Sequence, residues 1–176
     1  MSLINFKIFN MKSTILKSLF VISIFFTHSY KAQSVTVGDY IAFYNSVVPS
    51  LNTIASDKTQ FYGHNFSKFN TELNKRYINI VGLDYDSKTD TGKKYYILRL
   101  FLCDSNMDKP ALDNRYQIPW ITITFEDEIP PQIKSMVQQY HGEWNNTFVE
   151  FFSNMKIEKI KFVGLNGYNN YDRSAK

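Results

Sequence analysis

The first periodic pattern in the chain is a run of hydrophobic residues at helical spacing. Asp39 is suited to cap the start of this helix, and Pro49 is expected to kink or restart it. Phe66, Phe69 and Leu73 predict a second, shorter helix. In the first helix, the apolar side chains that recur every three or four positions share one face: Tyr40, Ile41, Tyr44, Val47, Val48, Leu51 and Ile54.

Three segments after these helices predict β-strands. Residues 77–85 form the first. Residues 95–103 are largely apolar on both faces, so this strand is expected to be central, with cover on both sides. Residues 118–126 alternate most regularly, and Trp120 lies with threonines on the more polar face of that strand.

Two helices and a final strand are predicted after residue 129. Pro130 and Pro131 are typical of a first helical turn, and Gly142 is expected to end that helix as a left-handed cap. A second hydrophobic stripe predicts the next helix: Trp144, Phe148, Phe151, Phe152 and Met155. Residues 156–165 are expected to form the last strand. Residues 166–176 show no period and are expected to be a loose tail.

This order of elements predicts a single α+β domain over residues 33–165. Three strands joined by loops are expected to form an antiparallel meander, which the C-terminal strand joins. Two N-terminal helices and a helical pair before the last strand are expected to cover at least one face of the sheet.

The first 32 residues resemble a bacterial secretory signal peptide. Met11 is the expected start, and Lys12 and Lys17 precede a short apolar run at residues 19–26. A polar stretch then leads to an expected cleavage after Ala32, or alternatively after Ser29. The apolar run is too short to cross a bilayer core of about 30 Å. The mature chain is therefore expected to be periplasmic or extracellular, without a transmembrane anchor.

The leader also explains the net charge of +4. Its charged residues are four lysines, so the rest of the chain holds equal numbers of basic and acidic residues. A nucleic-acid-binding domain would need basic residues clustered on its folded part. We therefore expect no nucleic-acid partner.

Cys103 is the only cysteine of the chain, which excludes an intramolecular disulfide. The expected role of Cys103 is a small buried residue at a strand end. The alternatives are a nucleophile or an intermolecular disulfide.

Trp120 and an acidic run, Glu126, Asp127 and Glu128, are the candidate partner-binding residues. An exposed tryptophan is typical of a binding hot spot, whereas a helix packed over the same face would bury it. The acidic run is expected either to stabilise the start of the following helix or to meet a basic partner and speed association. A third use is glycoside hydrolysis, in which Glu143 or Glu150 would be the second carboxylate.

No motif defines a catalytic, cofactor or metal site. Asp84, Asp86 and Asp90 are spaced as in a calcium loop, but the later ligand positions do not match, so a hairpin turn is expected. His64 and His141 are the only histidines after the leader, and neither has motif spacing. We therefore expect no cofactor and no metal, and assign no catalytic residue.

These patterns favour an exported non-enzymatic binding protein, such as an immunity or inhibitor protein that neutralises a protein partner in the cell envelope. One alternative is an exported hydrolase that uses carboxylates and a histidine, with His141 and Glu143 as candidates. Another is a carrier of a small apolar ligand, held between sheet and helices.

Overall fold

Five α-helices and a four-stranded antiparallel sheet make up the part of the chain that the computed structural model describes, residues 35–89 and 94–176. The predicted signal peptide and Asp90 lie outside the described residues. The helices are α1 (Val37–Ser56), α2 (Phe66–Lys75), α3 (Ser105–Asp113), α4 (Ile133–Gln139) and α5 (Asn146–Phe152). The strands are β1 (Gly82–Ser87), β2 (Tyr95–Phe101), β3 (Trp120–Phe125) and β4 (Ile157–Val163). A 3-10 helix, Lys58–Phe61, links α1 to α2.

The sheet confirms the predicted α+β class. Its strands lie in the order β1-β2-β3-β4, and each neighbouring pair is antiparallel. The last strand joins the meander beside β3, after the helical pair, as expected.

Helix α3 is an element that the sequence pattern did not predict, since β2 and β3 were expected to be joined by a loop. Asp104 caps its start and accepts hydrogen bonds from the backbone N–H groups of Asn106 and Met107, at 3.1 and 3.0 Å. Only Pro110 and Ala111 are buried on this helix. Two buried residues are too few to produce a visible helical period.

Helix α1 begins earlier than expected, and Pro49 does not restart it. Its N-cap is Thr36, and Asp39 is the third helical residue, so that the two form a reciprocal capping box. The helix also runs through Pro49 without ending. Tyr44 on its buried face donates a hydrogen bond to the carbonyl oxygen of Gly164 at 2.7 Å, which ties α1 to the end of β4.

The hydrophobic core lies between the helices and one face of the sheet. Phe125 of β3 stacks on Phe152 of α5, with ring centres 5.6 Å apart. Phe69 of α2 meets Phe162 of β4 edge-on at 6.4 Å. All four of these rings are fully buried, which places α2 and α5 on the same side of the sheet.

Strand β2 is central, as predicted, but is covered on one side only. Leu98 and Leu100 are fully buried and face the core. Ile97, Arg99 and Phe101 alternate with them and are half-exposed. The expectation of cover on both sides was therefore wrong, because the described helices all pack against the other face.

Neighbouring segments pair with parts of both outer strands. On β1, the Leu83 N–H donates to the carbonyl oxygen of Gly142 at 2.9 Å. On β4, the Ile157 N–H donates to His64 at 3.0 Å, and Phe162 and Lys176 exchange two backbone hydrogen bonds of 2.9 Å. These contacts satisfy backbone groups that an edge strand otherwise leaves free.

The C-terminal segment is held by specific hydrogen bonds, in contrast to the expected loose tail. The buried side chain of Gln117 donates to the carbonyl oxygens of Asn170 and Asp172 at 2.9 and 2.8 Å. Tyr168 packs edge-on against Tyr116 at 5.0 Å. These contacts come from distant parts of the chain, so no periodicity within residues 166–176 could indicate them.

Three helices end in the same way, with a residue other than glycine in the left-handed conformation. Tyr77, Arg115 and His141 have φ angles of 57°, 58° and 53° and follow α2, α3 and α4. At each end the next N–H bonds back into the last turn of the helix, which is the Schellman arrangement. Gly142 was expected to be the left-handed cap of α4. The cap position is instead occupied by His141, one residue earlier.

Among the described residues, no helix combines the length and the apolar character that crossing a membrane requires.

Candidate functional site

The face of the sheet that the helices leave uncovered is the first candidate site, and we call it the open face. Cross-strand pairing arranges its side chains in three rows. One row contains Gly82, Phe101, Trp120 and Val163. The second contains Asp84, Arg99, Thr122 and Lys161, and the third contains Asp86, Ile97, Thr124 and Lys159. None of these twelve residues is buried.

Trp120 lies in the apolar row of the open face. Phe101 and Val163 are its cross-strand partners, and all three side chains are half-exposed. None of them belongs to the core or to the partly buried hydrophobic residues packed against it. The structure therefore places Trp120 on the uncovered side, and no described helix packs over it.

Arg99 is the centre of an ion-pair network on the β1 side of the open face. Its guanidinium donates to Asp84 at 2.9 Å and also to Asp86. A hydrogen bond from the Ser87 N–H, together with Arg99, lowers the pKa of the Asp86 carboxyl. The spacing of these two carboxylates in the sequence resembles that of a calcium loop. In the structure they pair with an arginine instead.

The β4 side of the open face is basic. Lys159 and Lys161 are exposed, and no carboxylate pairs with either of them within the described ranges. Burial, and then the charges of Lys159 and Lys161, lower the pKa of the nearby Lys58 ammonium. The open face therefore carries acidic groups on β1 and uncompensated basic groups on β4.

The acidic run lies at the opposite end of β3 from Trp120. Glu126 lies six positions after Trp120, which corresponds to about 20 Å along a strand. Glu126 and Asp127 are exposed, and Glu128 pairs with Lys94 at 3.4 Å. Helix α4 begins only at Ile133 and has no acidic residue in its first turn, so a helix-dipole role for this run is wrong.

A pocket of about 710 Å³ lies at the end of the sheet where β1 begins and β2 ends. Three separate segments line it: residues 79–82, residues 101–108 in part, and residues 141–144. The lining contains Cys103, Asp104, Asp108, His141 and Glu143. Phe101 lines the pocket and also belongs to the apolar row of the open face, so the two features are adjacent.

The Cys103 thiol in this pocket is held in its neutral form. It is buried and donates a hydrogen bond from Sγ to Asp108 Oδ1 at 2.9 Å. Burial, and then the carboxylate of Asp108, raise the pKa of the thiol far above its usual range. Since the thiolate is the reactive form of cysteine, this environment disfavours a nucleophilic role.

The pocket brings together His141 and Glu143, the two residues of the hydrolase alternative, whereas Glu126 and Glu150 are not among its lining residues. No group of three or more His, Cys, Asp or Glu side chains among the described residues is arranged to hold a metal ion. His64 lies elsewhere, where its backbone pairs with Ile157. The lining of the pocket mixes carboxylates with apolar residues, which differs from the apolar pocket between sheet and helices that a carrier of a small apolar ligand would need.

Sequence reasoning could indicate Trp120, because strict alternation in β3 assigns it to the polar face. It could not indicate the pocket, because residues 79–82, 101–108 and 141–144 meet only through the pairing of β1 with β2 and with the α4–α5 loop. Comparison with known protein families, with curated proteins and with solved structures finds no match. The open face and the pocket are the two features of the described residues to which a function can be assigned.

Proposed function

We propose that this chain is an exported non-enzymatic binding protein that docks a protein partner on the open face of its sheet. The observation that supports this most directly is the contrast between the two faces of β3. Ile121, Ile123 and Phe125 are fully buried, while Trp120 on the other face is uncovered. Tryptophan is enriched in interface hot spots, where truncation costs about 2 kcal/mol or more.

The shape of the open face favours a macromolecule over a small ligand. Four strands spaced at about 4.8 Å form a surface about 14 Å wide between the outer strands. Small molecules prefer concave sites that enclose most of their surface, whereas protein partners bind across broad, shallow surfaces with an apolar centre and a polar rim. The apolar row lies at one end of the face, beside two rows that hold threonines and charged residues, so the face offers apolar and polar contacts over a broad surface, as the second description requires.

The charges of the open face define the partner further. Lys159 and Lys161 have no carboxylate partner in the described part of the chain, so they favour an acidic surface on the partner. Complementary charges of this kind accelerate association and fix the orientation of the complex. An immunity or inhibitor protein, which must find its target rapidly after export, is the class of binding protein that we propose.

The test uses residues 33–176, which include the compact unit Val35–Lys176. The immobilised chain is incubated with envelope and secreted fractions of its own host, in parallel with four variants. We expect the wild-type chain to capture one protein in stoichiometric amount. Trp120→Ala and the double variant Lys159→Glu/Lys161→Glu are expected not to capture it. Tyr171→Ala and Lys75→Glu alter exposed residues outside the open face, and we expect both to retain it.

The affinity of the purified partner for each variant then tests the interface. Loss of a hot-spot tryptophan corresponds to about a 30-fold rise in Kd, which calorimetry measures directly. Equal affinity of the wild-type chain and Trp120→Ala would exclude the open face as the interface. A wild-type chain that dimerises in analytical ultracentrifugation, and becomes monomeric in Trp120→Ala, would also contradict the proposal, because a second copy would then occupy the face.

A further inference from the structure

The pocket at the end of the sheet has side chains of one charge sign. Asp104, Asp108 and Glu143 contribute carboxylates, and no lysine or arginine is among the lining residues. None of the three carboxylates forms an ion pair with another described residue. On the open face, by contrast, Asp84 and Asp86 share Arg99. Asp104 is already engaged at the start of α3, where it accepts from the Asn106 and Met107 N–H groups. The carboxylates of Asp108 and Glu143 therefore carry the charge that no described lysine or arginine pairs with.

Asp108 is the most confined of these carboxylates. It is half-buried, and the hydrogen bond that its side chain accepts comes from the neutral thiol of Cys103. Burial raises the pKa of the Asp108 carboxyl, and the nearby Asp104 raises it further. An opposite charge within about 6 Å would stabilise the ionised form of such a carboxyl.

The walls and size of the pocket suit an organic cation. Phe101 and Trp144 are among the lining residues, and aromatic faces attract ammonium and guanidinium groups. Trp144 is anchored by stacking on Phe148, with ring centres 6.0 Å apart. The volume of about 710 Å³ exceeds what one metal ion needs and lies within the range of organic ligand sites, about 300–1,000 Å³.

We propose that this pocket receives an arginine or lysine side chain of the protein partner that docks on the open face. The inference rests on the proposed function, because it assigns the pocket and the face to the same partner. Phe101 provides the continuity, since it lines the pocket and pairs directly with Trp120 across β2 and β3. Phe101 lies about one strand spacing, about 5 Å, from Trp120, so a partner centred on Trp120 also covers a residue of the pocket lining.

The partner predicted by both sites has charges of two signs at defined positions. An acidic surface faces Lys159 and Lys161 on β4, and a basic side chain enters the pocket beside β1. The electrostatic attraction at each position would weaken as salt is added.

The first test measures binding to the pocket without the partner. Uniformly ¹⁵N-labelled residues 33–176 are titrated with N-acetyl-arginine amide, and in parallel with N-acetyl-citrulline amide, a neutral analogue of nearly the same shape. We expect arginine-induced amide shifts confined to residues 79–82, 101–105 and 141–144, and at least a tenfold weaker response to citrulline. The double variant Asp108→Asn/Glu143→Gln is expected to abolish the arginine response.

Controls separate charge from folding. Glu150→Gln removes an exposed carboxylate outside the pocket and should leave the arginine response unchanged. Glu143→Gln alone changes an exposed side chain, so it tests the pocket even if the double variant is unstable. Equal shifts with citrulline, or shifts elsewhere in the chain, would overturn the inference. Saturation of the same amides by Ca²⁺ or Mg²⁺ with loss of the arginine response would also overturn it, in favour of a metal site.

The second test uses the purified partner and separates the two proposals. Loss of affinity in both Trp120→Ala and Asp108→Asn/Glu143→Gln is the result expected if both hold. Loss in Trp120→Ala alone would contradict the pocket assignment and leave the proposed function intact. Unchanged affinity in Trp120→Ala would contradict the proposed function, and with it the assignment of the pocket to that partner.

Discussion

Three helix ends carry a residue that is less stable in its backbone conformation than glycine would be. Tyr77, Arg115 and His141 hold φ angles above 50° at helix ends where glycine is usual. A side chain with a β-carbon pays about 1 kcal/mol or more in this conformation. His141 lines the pocket, whereas Tyr77 is 94% exposed and its ring has no packing role that would offset the strain.

Replacement of Tyr77 by glycine is expected to stabilise the protein. The substitution removes the strain at a positive φ, and the exposed ring contributes little, so the free energy of unfolding should rise by about 1 kcal/mol. Urea denaturation followed by circular dichroism measures the change. Tyr77→Ala is the matched control, because it removes the ring and keeps the β-carbon. Equal stability of the two variants would show that backbone strain is not the cause.

The Cys103 thiol is expected to react slowly in the folded protein. Its pKa is raised by burial and by Asp108, and the thiolate fraction falls tenfold for each unit by which a pKa rises above the ambient pH. Alkylation by iodoacetamide at pH 8, followed by mass spectrometry, should be at least 100-fold slower than in guanidinium chloride. Rapid labelling of the native chain would instead indicate an activated cysteine and favour the enzymatic alternative.

At the scale of elements, the sheet and most helices follow directly from hydrophobic spacing, and the exceptions have identifiable causes. Strict alternation assigns Trp120 and Phe125 to opposite faces of β3 without any tertiary information. Alternation cannot reveal whether helices cover the second face, because coverage depends on how α1 to α5 pack. Helix α3 has only Pro110 and Ala111 buried, so its existence depends on the Asp104 cap and on contacts with α1.

The two faces of β3 predict opposite effects of aromatic truncation on stability. Phe125→Ala removes a fully buried ring stacked on Phe152 and is expected to cost about 3–5 kcal/mol. Trp120→Ala removes a half-exposed ring outside the core and should cost less than about 1 kcal/mol. Thermal denaturation of both variants compares them. A cost for Trp120→Ala close to that of Phe125→Ala would mean that the ring serves the fold.

At the scale of the whole molecule, charge is distributed unevenly over the surface. The acidic run Glu126–Glu128 lies at one end of β3, the carboxylate-lined pocket lies at the other, and Lys159 and Lys161 lie along β4. The equal number of basic and acidic residues in positions 33–176 hides this separation. Such patches act on the rate and orientation of association more than on affinity.

Charge reversal of the acidic run is expected to slow association with the partner. Glu126 and Asp127 are exposed, so the triple variant Glu126→Lys/Asp127→Lys/Glu128→Lys should fold normally. If the run faces a basic region of the partner, surface plasmon resonance should show a several-fold lower association rate at low salt and a smaller difference at high salt. An association rate equal to that of the wild-type chain would remove these residues from the interface.

The covered edges of the sheet also determine what kind of assembly the protein can form. Gly142 pairs with β1, and His64 and Lys176 pair with β4, so a second chain cannot simply add a strand at these points. Strand addition at an edge can repeat without limit and leads to fibres, whereas contact through a single face ends once that face is occupied. A protein of this design can reach high concentration and still form closed complexes of fixed stoichiometry.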